Sequence, residues 1–109
     1  MFKITKNPTF THTVPVRVPV DGGFENESMK VKFKLLDDDV MATYNTSTMQ
    51  GQKDFLDAAI VSISDLVDAE NKPVDFNDKI KKQIIGLPYA RNALLKGYTD
   101  GIVPGLLGN

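Results

Sequence analysis

The sequence predicts an α+β fold in a single domain. It reads as an N-terminal β-hairpin over residues 1–36, then a small C-terminal bundle of about four helices over 37–104, and a short tail at 105–109. Three observations predict it. Apolar and polar residues alternate through the first third of the chain, apolar residues recur at helical spacing through the rest, and 109 residues suit one core. A content of 41% hydrophobic and 25% charged residues is that of an ordinary globular chain.

Residues 1–8 form a lead-in, with Asn7-Pro8 as a break before the first strand. From there Phe10, His12, Val14, Val16, Val18 and Val20 fall on one side, with Thr9, Thr11, Thr13, Pro15, Arg17 and Pro19 on the other. Pro15 and Pro19 have no N–H to give a ladder, so the segment reads as an edge strand. Asp21-Gly22-Gly23 reverses the chain, and the return strand over 27–35 alternates Met29, Val31, Phe33 and Leu35 with Lys30, Lys32 and Lys34. A two-stranded hairpin is marginal in water, so its apolar face must lie on the helices or on strands of another copy.

Asp37 to Asp39 supply a cap and acidic first turn for a short helix over about 38–44. The hydroxyl- and amide-rich run 45–51 reads as a mobile loop or frayed helix start. A second helix is predicted over about 52–62, with Phe55, Leu56, Ala59, Ile60 and Ile63 as its stripe. The polar run 68–73 either closes a miniature hairpin or leads into the next helix. Asn77 or Asp78 caps a third helix carrying Ile80, Ile84 and Ile85, which Gly86 stops. Pro88 suits the first turn of a last helix ended by Pro104-Gly105.

Chemistry is sparse. His12 is the sole histidine and lies on the apolar side of a strand with no nucleophile or carboxylate beside it in sequence, so it reads as structural. The Asp37 to Asp39 run lacks the glycine and distal glutamate of a calcium loop, and Gly22-Gly23 is not a phosphate loop. With no cysteine there is no disulfide, thiolate nucleophile or Cys-type zinc site. The reading is a non-enzyme without cofactor or metal. Thirteen basic against fourteen acidic residues leave a net charge of -1, which argues against nucleic acid and anionic membrane as partners. No apolar run reaches the length of a membrane span and MFKITKNPTF lacks a signal-peptide core, so a cytoplasmic location is expected.

Asn7-Pro8-Thr9-Phe10 opens a valine-rich strand, Val31-Lys32-Phe33-Lys34-Leu35-Leu36 forms the return strand, and Phe55-Leu56 lies in a helix. The run from Val67 to Phe76 is followed by Leu87-Pro88-Tyr89-Ala90-Arg91-Asn92-Ala93-Leu94 with Tyr98, the most specific part of the pattern. In this order the parts resemble the tail assembly chaperones of long-tailed phages and prophages. The resemblance implies a non-enzymatic protein of the bacterial host cytoplasm, absent from the mature virion. Such a protein binds the tape measure protein, keeps it soluble, helps recruit tail tube protein subunits and forms homo-oligomers. The alternative reading is a structural tail component of the virion, such as a tail completion or tube-associated protein. The candidate interaction surface is Val14, Val16 and Val18 of the edge strand, Met41 and Met49 about the 45–51 loop, and Tyr89 and Tyr98, which a spacing of nine places on opposed sides of the last helix. Strand edges are expected to join copies, and removing residues before Asp21 to weaken that contact with the C-terminal helices still folded.

Overall fold

A computed structural model describes residues 1–103 of the chain, so the tail at 105–109 and the Pro104-Gly105 stop lie outside the described residues. Strand β1 (Thr9–Val20) and strand β2 (Gly23–Lys34) form an antiparallel hairpin in unbroken register, from Thr9 opposite Lys34 to Val20 opposite Gly23. Gly22 takes a φ of 81° in the connecting turn, a conformation open to glycine at little cost. The return strand therefore starts earlier than its alternating pattern suggests, because pairing continues up to the turn. Helix α1 (Asp38–Met41) is a single turn, followed by α2 (Met49–Ala59), strand β3 (Ile60–Ser64), α3 (Asp78–Ile85) and α4 (Pro88–Ile102). The fold is α+β. The three strands lie in the order β1-β2-β3, with one face of the sheet buried and the other open.

Side-chain caps set the helix starts. Asp37 accepts from the Val40 N–H at 3.0 Å, Thr48 from Gly51 at 3.0 Å and Asn77 from Ile80 at 2.9 Å. The run 45–51 is thus largely a capping network, in which the Asn45 carbonyl accepts from both the N–H and the hydroxyl of Thr48.

One element departs from the pattern. The predicted helix over 52–62 ends at Ala59, and Ile60–Ser64 pairs with β2 as a strand. The pairing passes from Ser62 opposite Lys32 to Ile60 opposite Phe33, leaving Val61 as an extra, exposed residue. This bulge lets Ile60 and Ile63 both face inward, although a regular strand would place residues three apart on opposite faces. A spacing of three thus served a bulged strand as well as it would a helix. The third strand gives β2 a partner within the same chain on the side away from β1.

Helix α4 lies against β1. A Cβ at Gly97 would stand 2.7 Å from Val14 Cγ2, and one at Gly101 would meet the Phe10 ring, so a side chain at either position would have to push its neighbour aside. Tyr98 lies at the centre of an aromatic cluster, with ring centroids 5.0 Å from Phe55, 5.5 Å from Phe33 and 6.0 Å from Phe10. Its hydroxyl accepts from the Leu36 N–H at 3.1 Å, which ties the end of the hairpin to α4. Arg91, only 7% exposed, donates from Nη1 to the Ile85 carbonyl at 3.1 Å and so places its charge at the C-terminal end of α3. Because Val14 is fully buried beside Gly97, β1 belongs to the core and is not a detachable edge. Removing residues before Asp21 would expose the face of α4 that β1 covers, contrary to the expectation that the helices stay folded without it.

Leu94 is completely buried, and Leu94→Ala should cost about 2 to 5 kcal/mol in urea denaturation. Gly97→Ala, which raises helix propensity, should still destabilise by about 1 to 3 kcal/mol because Val14 has no room to retreat in a packed core.

Candidate partner-binding groove

An open groove of about 760 Å³ lies between the distal half of the hairpin, residues 65–71 and the α3–α4 corner. Its walls are mostly apolar, formed by Val16 and Val18 of β1, Met29 of β2, Leu66, Val67, Ile84, Leu87, Tyr89 and Ala90. Glu27, Asp65 and Asp68 supply its acidic groups, with no basic residue in the lining.

Local sequence makes one wall stiff. Val67 bridges Pro73, the Asp68 N–H donates to the Lys72 carbonyl at 2.9 Å, and the Val74 N–H donates to Leu66 at 2.9 Å. Asp68 Oδ1 accepts from the N–H groups of Glu70 at 2.8 Å and Lys72 at 3.0 Å, while Asn71 takes a φ of 62°. Of the two readings of the 68–73 run, the structure shows the miniature hairpin.

Leu87 is out of keeping with its position. It is the N-cap of α4, with φ -88° and ψ 119°, yet it makes no side-chain cap bond and stands 39% exposed in the groove. Leucine is among the poorest residues at such a position, where Asp, Ser or Asn would stabilise the helix by about 0.5 to 2 kcal/mol. Val67, 57% exposed, is a second apolar side chain turned to solvent on the opposite wall.

The predicted surface residues divide. Val16, Val18 and Tyr89 come together in the groove, with Val18 and Tyr89 half-buried and Val16 buried. Val14 and Tyr98 are core residues without an accessible face, so they are removed from the candidate surface. Met41 is half-buried against the core and Met49 is exposed at the start of α2; neither lines the groove. On the opposed sides of the helix, Tyr98 packs into the aromatic cluster and Tyr89 lies half-buried against the core at the groove. Sequence reasoning missed Leu66, Ile84, Leu87, Ala90 and the acidic groups as parts of one site. Glu27 carried a signal: it shares the parity of Met29, Val31 and Phe33, and so extends an apolar row with a carboxylate.

The outer face of the sheet has the opposite charge. Lys30, Lys32 and Lys34 run down β2 between Thr9, Thr11 and Thr13 on one side and Ser62 and Ser64 on the other, and none of the ion pairs among the described residues involves them. No group of three or more His, Cys, Asp or Glu among the described residues could hold a metal ion. Nor is any helix there long and apolar enough to cross a membrane.

What the fold and the groove define is an α+β domain with an apolar cleft of acidic character. No family model, curated protein or solved structure matches the chain.

Leu87→Asp should leave the fold intact and raise its stability by about 0.5 to 2 kcal/mol, read as a higher urea midpoint at unchanged slope. Tyr98→Phe, which strips the acceptor from the Leu36 N–H, should cost about 0.5 to 1.5 kcal/mol in the same measurement.

Proposed function

We propose that the protein is a tail assembly chaperone: a non-enzymatic factor of the host cytoplasm that holds the tape measure protein in solution and helps bring tail tube subunits to it. The groove carries this reading. Its apolar walls, with Leu87 kept at a cap position where a polar residue would serve the fold better, fit the apolar stripe of an amphipathic helix. A volume of about 760 Å³ accepts side chains from about two turns of one helix face. Glu27, Asp65 and Asp68 favour basic residues flanking that stripe and disfavour acidic ones. Such a site suits a client that is long, helical and poorly soluble alone. It grips a short length at a time, and many copies would be needed to cover it.

The test is co-expression with the tape measure protein. Wild type should keep it in the soluble fraction, while Leu87→Asp should weaken its capture by about 0.5 to 1 kcal/mol, the share of a leucine's burial that its 39% exposure leaves to be gained on binding. Equal capture by Leu87→Asp and by a Val67→Asp, Leu87→Asp pair would remove the groove from the binding site. Recovery of the protein in stoichiometric amount from purified virions would replace the chaperone reading with that of a structural tail component.

A further inference from the structure

The chain carries both halves of a strand exchange. Residues 1–6 belong to no helix or strand, and Phe2 and Ile4 are each 90% exposed. Two large apolar side chains in water on an unpaired segment are a standing cost unless something covers them. Their parity matters. Phe2 and Ile4 alternate with Lys3 and Thr5, the pattern of a half-buried strand, so an extended arm would turn both apolar side chains to one face and the polar pair to the other.

The matching acceptor is the free edge of β1. The Pro8 carbonyl accepts from the Leu35 N–H at 2.9 Å, which continues the β1–β2 ladder and fixes the even-numbered positions as those whose backbone groups point to β2. The odd-numbered positions point outward. Pro15 and Pro19 are odd, and they close the distal half of the edge because they have no N–H to offer. Thr9, Thr11 and Thr13 remain, with no backbone hydrogen bond outside the sheet among the described residues. Beside them Phe10 and His12 are only half-buried on the inner face. A strand laid along residues 9–13 would satisfy the threonine backbone and place two apolar side chains over Phe10 and His12. Within one molecule this pairing is not made, for Asn7, at a φ of 53°, bends the chain between arm and edge.

We propose that the arm of one copy, residues 1–6, adds as a fourth strand to the free edge of β1 at residues 9–13 of a second copy. The occupant is an arm and not a second β1. Helix α4 packs under β1 through Gly97 and Gly101, and two such edges paired directly would bring two helices to about one strand spacing, 4.8 Å, where helix axes need about 8 to 10 Å. An arm with no helix behind it avoids that collision. Donor and acceptor are different surfaces, so the contact is head-to-tail and joins copies into chains or rings while leaving the groove free.

The experiment is sedimentation velocity across concentration on three chains. Wild type should form concentration-dependent oligomers. The arm variant Phe2→Asp, Ile4→Asp and the edge variant Thr11→Pro should each weaken association by at least about tenfold. Proline at 11 is an odd, outward position like 15 and 19, so β1 can hold it. An equimolar mixture of the two variants should recover complexes, because one still offers an edge and the other still offers an arm. If Thr11→Pro fails to fold, amide exchange decides: the Thr11 and Thr13 amides of wild type should be protected at high concentration and exposed in the arm variant. A wild-type chain that is monomeric throughout overturns the proposal. So do variants that associate as wild type, a mixture that fails to recover complexes from two folded variants, or Thr11 and Thr13 amides indifferent to concentration.

Discussion

The close seating of α4 on β1 is the contact on which the rest of the domain depends. Without a Cβ at Gly97 and Gly101 the helix comes near enough for Val14 and Phe10 to fill the space that side chains would otherwise hold. That approach brings Tyr98 into the cluster of Phe10, Phe33 and Phe55, where its hydroxyl reaches the Leu36 N–H. Hairpin, α2 and α4 therefore share one set of contacts. Glycine within a helix costs up to about 1 kcal/mol relative to alanine, and here that cost is offset by the packing it permits.

Much of this fold was legible in the sequence because its signals were strictly local. Alternation from Phe10 to Val20 and from Met29 to Phe33 gave the hairpin, two prolines of one parity gave the edge, and Asp37, Asn77 and Pro88 marked helix starts. The third strand was not legible. Ile60 and Ile63 lie three apart, a helical interval, and only the bulge at Val61 reconciles that interval with a strand. A bulge depends on the partner strand, so the local pattern does not disclose it. The same limit applied to Val14 and Tyr98, whose exposure was decided by which helix lands on which strand, and single-chain periodicity is silent on that.

The groove was harder to read for a related reason. Its walls come from separated parts of the chain, Val16 and Val18, Leu66 and Val67, Ile84 and Leu87, and no two of these groups share a periodic segment. What local reasoning can supply is the misfit. Leucine at the N-cap of α4 and glutamate on the apolar parity of β2 are each a poor choice for the fold alone. Both lie in the one cleft. Two local departures that converge on one surface carry more weight than either alone, since surface residues without a binding role are free to follow local preference.

Charge distribution adds a constraint that the near-zero net charge conceals. The cations of β2 lie on the open face of the sheet, while Glu27 points to the groove side of the same strand and Asp65 and Asp68 stand beside it, so the two signs are separated by the sheet itself. Strand alternation forbids their pairing within one hairpin. The lysine row also discourages a second sheet from stacking face to face, and Pro15 and Pro19 block half of the edge. Face-to-face stacking of sheets and pairing along the distal half of β1 are thereby closed. Among the described residues, the backbone at 9–13, the outer edge of β3 and a cleft whose apolar walls lie between acidic groups remain open.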